Sequence, residues 1–316
     1  MDYFKIYLVP KEYQLSYGGN KKSLIVKYYK YIIYNDYYIL YIMYLSIFYC
    51  YLICLFNCVI SYRKLPIIIA NWKMNTNLDT SINLASYLLK NKNRINNVDV
   101  VILPPLPFIT NVKNILNDTS IFLGSQNVYH QTNGAYTGKI SVFMLDSIGC
   151  KYVLVGHSER RLLCSESDED INMVMRIVHK TNMVPILCIG ETKNEYDLDI
   201  QNEIITIQLT KNLNGLSNEE IQNTIIAYEP IWSIGTGIPM DYEKVQKMHS
   251  FIRDWITQKY GCKVGDNIRI LYGGSVRSNN IKELFKCEDV DGFLVGTSSL
   301  YPDEFMDIID SCRYYS

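Results

Sequence analysis

The sequence predicts a parallel α/β protein closed into a (β/α)8 barrel, preceded by an unrelated N-terminal extension. Three observations carry that expectation. From Leu65 onward, short apolar runs rich in β-branched residues alternate with stretches of helical period, and eight such pairs can be counted. Roughly 250 residues hold them all, a length at which closure into an eight-stranded barrel is the natural solution. No GxGxxG follows the first run, which disfavours the runner-up, an open doubly wound sheet.

Residues 1–64 are a different kind of text. They hold eight Lys/Arg against three Asp/Glu, a surplus of five that leaves the rest of the chain at −6 within an overall −1. Fifteen of the 27 tyrosines also fall there. From Tyr37 to Tyr62 no side chain is charged, and the run is long enough to cross a bilayer. Membrane contact is expected only through residues 37–62. Three readings stay open: a span or signal anchor, a leader whose apolar region sits unusually late, or a gene-model artefact, because Tyr/Ile/Asn/Lys-rich text resembles translated AT-rich non-coding sequence. Only Arg63 to Leu65 would separate a span from the first strand, leaving no room for a transit peptide after it. Leader or artefact is favoured over a working anchor.

The near-neutral total argues against a nucleic-acid partner. Nine cysteines without a CxxC, and four widely spaced histidines, form neither a disulfide framework nor a zinc pattern. A reduced compartment, with no metal and no cofactor, is the expectation.

Taken in order, the strand candidates are Pro66–Asn71, Val98–Leu103, Ile121–Ser125, Tyr152–Gly156, Val184–Ile189, Thr224–Tyr228, Ile268–Tyr272 and Gly292–Val295. Between them lie helical patterns at Thr80–Lys90, Phe108–Leu116, Val142–Ser147, Asp168–Lys180, Ile200–Leu213, Tyr242–Tyr260, Ile281–Phe285 and Pro302–Ser311. In a barrel, chemistry gathers where the strands end.

The sixth strand ends in Glu229, a carboxylate partly stripped of water and so a better base. Pro230 fixes the backbone after it. An apolar flap follows, Ile231-Trp232-Ser233-Ile234, then Gly235-Thr236-Gly237, whose amides can approach an anion. After the first strand, Lys73 can neutralise a phosphate dianion and Asn71 can donate to a carbonyl oxygen. The fourth strand gives way to Gly156-His157-Ser158-Glu159-Arg160-Arg161. A helix start there would disfavour imidazolium and keep His157 a neutral donor. Ser158 and Glu159 are supporting neighbours; Glu159 pairs either with Lys73 or with Arg160 or Arg161. The small residues at Gly273-Gly274-Ser275 and Gly296-Thr297 stand after strands seven and eight, where barrels bind phosphate through amides. A base, a neutral electrophile, a cation and an amide cradle suit proton transfer α to a carbonyl on a small phosphorylated compound.

Asn71-Trp72-Lys73-Met74-Asn75, Asn133 to Gly138, Gly156 to Arg161, Tyr228 to Gly237 and Tyr272 to Ser275 together resemble the triosephosphate isomerase family, in the family's order and from about Leu65 to the C-terminus. The resemblance implies interconversion of dihydroxyacetone phosphate and D-glyceraldehyde 3-phosphate, a step of glycolysis and gluconeogenesis. It implies Glu229 as base, His157 polarising the carbonyl, and Lys73 and Asn71 stabilising the oxyanion. The phosphate would rest on amides at Gly235, Ser275, Gly296 and Thr297, under a lid running from Pro230 to Met240. It also implies a homodimer in which Thr137 braces Asn71 and Lys73 of the other subunit, and a cytoplasmic enzyme by default. An organelle, for instance a plastid, is the alternative raised by the extension.

Three positions depart from the family's pattern. Lys139 stands where an acidic partner for Arg160 is usual, so two cations are expected to repel and weaken the dimer. Thr297 replaces a glycine in the cradle and is expected to crowd the anion. Ile238-Pro239-Met240 replaces the usual second hinge, and altered lid kinetics are expected. The competing readings are another phosphosugar isomerase or epimerase, and a non-catalytic or membrane-tethered phosphate-binding barrel.

Overall fold

Eight short strands and the helices between them make up residues 64–236 and 239–313, the part of the chain that the computed structural model describes. The expected span at 37–62 and the extension before Lys64 lie outside the described residues, as do Gly237 and Ile238 of the lid. Among the described residues no helix is long and apolar enough to cross a membrane.

In chain order the elements are β1 (Ile67–Asn71), α1 (Leu78–Lys90), β2 (Asp99–Leu103), α2 (Ile109–Leu116), β3 (Ile121–Ser125), α3 (Val142–Ser147), β4 (Tyr152–Val155), α4 (Ser158–Leu163) and α5 (Asp168–Val178). Then come β5 (Val184–Ile189), α6 (Lys193–Asp197), α7 (Gln201–Asn212), α8 (Asn218–Gln222), β6 (Ile225–Tyr228), α9 (Tyr242–Tyr260), α10 (Cys262–Asn267), β7 (Arg269–Tyr272), α11 (Ile281–Leu284), β8 (Gly292–Val295) and α12 (Pro302–Arg313). All neighbouring strands are parallel, and β1 closes the ring on β8 with Ile67 opposite Gly292 and Ala70 opposite Val295.

Closure buries every strand on two faces, which is why the strands read as unbroken apolar runs. Ile67, Ile69, Val101, Leu103, Leu154, Ile186, Ala227 and Leu271 fill the interior of the ring. Their alternates, such as Ile68, Ala70, Val100 and Ile102, pack outward against the helices. Each Ile, Leu or Val among them is worth about 1.5–3 kcal/mol when fully buried.

The helices differ from expectation mainly at their ends, where local hydrogen bonding overrides periodicity. α1 starts at Leu78 rather than Thr80, because the Asn77 side chain accepts from Thr80 N and the Thr80 hydroxyl in turn accepts from Asn77 N. Ser167 and Asp170 form the same kind of box at the start of α5, which ends at Val178 rather than Lys180. The helix expected from Phe108 begins at Ile109, after a 3-10 turn over Leu106–Phe108. α6, α8 and α10 are additional helices of five or six residues.

The amino end of the barrel is tied by ion pairs. Arg253 bridges Asp289 at 2.6 Å and Asp291 at 2.8 Å, and donates to the Gly265 carbonyl at 2.8 Å. Asp291 also accepts from Ile270 N at 2.8 Å, and Arg269 meets Asp99 at 2.7 Å. Lys64 donates to the Ile268 carbonyl at 2.6 Å, and burial brings its ammonium down to about 8 despite Asp291 beside it.

Candidate active site

At the opposite, carboxyl end a cavity of about 430 Å³ is lined by Asn71, Lys73, His157, Glu229, Gly235, Ser275, Gly296 and Thr297. They arrive from five strand ends or the loops that follow them: Asn71 and Lys73 from β1, His157 from β4, Glu229 and Gly235 from β6, Ser275 from β7, and Gly296 and Thr297 from β8. The topology therefore gathers residues that are far apart in the chain.

Glu229 is the first residue after β6 and is buried. Its backbone N–H donates to the Ile189 carbonyl at 2.7 Å. Its carboxylate accepts from Ser158 N at 3.2 Å and lies 3.2 Å from His157 Nε2. The ring's other nitrogen, Nδ1, accepts the Glu159 backbone N–H at 3.2 Å, so the imidazole proton sits on Nε2 and points at Glu229. His157 caps the start of α4. Beside the carboxylate stands Cys188, whose thiol burial, and then Glu229 itself, push far above its ordinary range; it stays protonated.

Lys73 adopts a left-handed backbone, φ 51°, a conformation that costs a side-chain-bearing residue about 1 kcal/mol or more. Three bonds hold it there. Lys73 N donates to Asn71 Oδ1 at 3.0 Å, and Gln126 Nε2 donates to both the Lys73 and Leu103 carbonyls at 2.9 Å. The ammonium meets Glu159 at 2.7 Å, whereas Arg160 is bound to Glu166 and Arg161 to Asp168, both at 2.6 Å. Since Lys73 and Glu159 are partly exposed, that pair is weak and easily exchanged for another anion.

On the far side the cavity is lined by small residues, Gly273, Gly274, Ser275, Gly296 and Thr297, with Arg277, Tyr301 and Glu304 beside them. Gly296 precedes a 3-10 turn over Thr297–Leu300, and Ser275 N donates to Ser233 Oγ of the lid at 3.4 Å. Gly235 is exposed with φ 71°, and a β-carbon there would meet nothing within 4 Å, so its need for glycine is conformational. Pro230, Ile231, Trp232 and Ser233 form the lid's first turn, followed by Ile234, Gly235 and Thr236; Thr236 Oγ1 donates to the Ser233 carbonyl at 3.0 Å. Past the undescribed pair, Met240 is buried and its N–H donates to Tyr272 Oη at 3.2 Å. Thr297 is exposed at the cavity's rim.

The comparisons with known proteins agree with this geometry. A sequence model described as triosephosphate isomerase matches residues 66–312. The chain belongs to the triosephosphate isomerase family. It is similar to the triosephosphate isomerase of Phocaeicola vulgatus, with 42% identity over 78% of this chain and 98% of that protein. The corresponding proteins of Cytophaga hutchinsonii and Carboxydothermus hydrogenoformans are both 40% identical, over 78% and 77% of this chain and 98% and 97% of their own lengths. The match to the isomerase family starts at Pro66 and leaves the extension uncovered.

Within this isomerase-family site, sequence reasoning missed two residues. Glu191, two positions past β5, is fully buried and accepts from Tyr228 Oη at 3.1 Å and Trp232 Nε1 at 2.8 Å. Burial raises its proton affinity, and those donors oppose the rise. Its position just past an apolar strand was the available signal. Gly190 was also passed over. Gln208 of α7 clamps it by accepting from its N–H at 2.8 Å and donating to its carbonyl at 3.0 Å. A β-carbon on Gly190 would lie 1.7 Å from the Glu229 carbonyl oxygen.

Thr137 sits on an exposed loop and Lys139 follows two residues later, 5.0 Å above the Tyr129 ring. A second cavity of about 430 Å³ opens beside Lys73, with Met74, Leu106, Tyr129 and Leu163 among its walls.

Proposed function

We propose that this chain interconverts dihydroxyacetone phosphate and D-glyceraldehyde 3-phosphate by proton transfer through an enediolate. The observation that carries the reading is one cavity joining Glu229, His157 and Lys73 to the small residues Gly235, Ser275, Gly296 and Thr297. Glu229 leaves Ser158 N to take a proton from the carbon next to the carbonyl, and returns it to the neighbouring carbon. His157, with its proton on Nε2, donates to the carbonyl oxygen. Lys73 exchanges its contact with Glu159 for the developing oxyanion, and Asn71 donates to it. The phosphate rests on amides of Gly235, Ser275, Gly296 and Thr297. The lid closes over it and keeps water from the enediolate.

The active form is a homodimer in which the Thr137 loop of one subunit enters the cavity beside Lys73 of the other. The apolar walls of that cavity support this arrangement. Lys139 over Tyr129 and Arg160 on Glu166 each have a partner within their own subunit, which softens the repulsion expected between them. The catalytic unit is the barrel from about residue 65, acting in the cytoplasm unless the extension directs it to an organelle.

Turnover of D-glyceraldehyde 3-phosphate in a coupled assay, followed across protein concentration, tests the reading. Fast turnover with a per-subunit rate that falls on dilution is the expected result. No turnover, with binding of a phosphorylated analogue retained, would leave a phosphate-binding barrel instead.

A further inference from the structure

Arg277 lines the cavity that holds Glu229, His157 and Lys73, and it is exposed there. Among the described residues its guanidinium makes neither an ion pair nor a hydrogen bond; only its backbone is engaged. That sets it apart. Every other arginine of the described residues donates to a carboxylate or to a backbone carbonyl. Arg277 stands two residues past Ser275, in the turn between β7 and α11. One side chain fixes that turn. Asn280 Oδ1 accepts from Arg277 N at 2.9 Å, and Asn280 Nδ2 donates to the Ser275 carbonyl at 2.9 Å. The backbone of the arginine is thereby tied to a residue of the proposed phosphate cradle.

The charges of the cavity give this cation a use. Its walls carry two cations, Lys73 and Arg277, and two carboxylates, Glu229 and Glu304. Lys73 is already drawn to Glu159 at 2.7 Å, and Glu304 faces the Ser298 hydroxyl at 3.0 Å. A phosphate monoester at neutral pH is close to a dianion, its second pKa being about 6. Without Arg277 that dianion would enter a cavity where carboxylates outnumber cations. With it the charges cancel, and the guanidinium offers the phosphate oxygens a planar fork of N–H donors.

We propose that Arg277 binds the substrate phosphate from the solvent side of the cavity, adding a charged contact to the cradle and drawing the dianion in. The proposal rests on the isomerase reading, since a triose phosphate is what brings phosphate to this wall. Arg277 moves no proton. Its contact is the same before and during the reaction, so its loss raises KM and leaves kcat in place. Being exposed, the contact is screened by salt.

The test compares the full chain with Arg277→Met and Arg277→Lys. It reads kcat and KM for D-glyceraldehyde 3-phosphate across salt concentration, turnover of D-glyceraldehyde, which has no phosphate, and binding of inorganic phosphate by phosphorus NMR. Arg277→Met is expected to raise KM and weaken inorganic phosphate roughly 2- to 10-fold, the worth of a charged hydrogen bond reduced by exposure. Both kcat and the D-glyceraldehyde rate hold, and KM climbs less steeply with salt than in the parent. Arg277→Lys keeps the charge without the fork and falls between the two. An Arg277→Met chain with the parent's KM and phosphate affinity at low salt would overturn the proposal. So would one whose D-glyceraldehyde turnover drops as far as its kcat/KM for the phosphorylated substrate, because that marks a general disturbance of the site. A parent that turns over no triose phosphate, yet binds inorganic phosphate more tightly than Arg277→Met does, would sink the isomerase reading and leave the arginine's contact standing.

Discussion

The two ends of this barrel handle buried charge in opposite ways. At the amino end, Arg253, Asp289, Asp291 and Lys64 are closed on one another and on backbone groups, every strong donor facing an acceptor. At the carboxyl end, Glu229 has one backbone N–H and one imidazole N–H, each at 3.2 Å, and no cation against it. Lys73 holds Glu159 only at a half-wet rim. The first arrangement is costly to disturb and has no reason to move. The second leaves its charges in contacts that a substrate can replace, and catalysis requires that.

Glu229→Gln should break the carboxyl end most visibly. The carboxamide fits the same space and still accepts from Ser158 N, but it cannot take a proton. Turnover is expected to fall roughly 10²- to 10⁴-fold, with the urea midpoint unchanged or raised because a buried charge is gone. A rate within a few-fold of the parent would remove Glu229 from the mechanism.

Arg253→Met is the counterpart at the amino end. It leaves Asp289 without its cation and Asp291 with Lys64 alone, at 3.4 Å, and removing one partner of a buried pair costs about 3–5 kcal/mol. Urea unfolding should show that loss while kcat, measured well below the transition, stays put. A fall in kcat without a fall in midpoint would erase the division of labour between the ends.

The smallest effect sharpens the comparison from the middle of the molecule. His249 of α9 is fully buried, its Nδ1 lies 3.2 Å from the Asp289 carbonyl oxygen, and burial takes the ring down to about 4. A depressed histidine binds protons in the unfolded chain before it does so in the folded one. Stability contributed by His249 is therefore present above the unfolded value near 6.5 and is lost as pH falls towards 4, on the order of 3 kcal/mol in all. Glu191 works the other way, because a carboxylate raised by burial gains stability as it protonates. The difference between the parent and His249→Phe isolates the histidine: unfolding midpoints between pH 7 and 4 should fall less steeply in the variant.

The eight strands were legible because closure demands apolar runs on both faces, and they were read to within a residue at each end. The site's chemistry was legible because polar residues stand directly after those runs, as at Lys73, His157 and Glu229. What escaped notice had no local signature. The short helices α6, α8 and α10 complete too few turns to show a period, and each is set by its contacts or caps. Glu191 looks like any acid after a strand until Tyr228 and Trp232 fold over it. Tyr196 meets Trp232 and Lys244 only in space. The departure at Lys139, opposite Arg160, was visible in the sequence, but the Tyr129 and Glu166 contacts that occupy the two cations were not.

Replacing a glycine by alanine is a routine way to stiffen a protein, since it shrinks the ensemble the chain must give up on folding. Gly190 marks where that recipe fails here. It carries no functional group, yet the hydrogen it has in place of a methyl is what lets the segment after β5 lie flush against the main chain of the base. The placement of Glu229 is thus partly written as missing atoms, at a position that an engineer looking for charge, metal ligands or nucleophiles would be free to overlook. Thermostabilisation of this barrel has room on the outer helices; along that seam, added matter would displace the base.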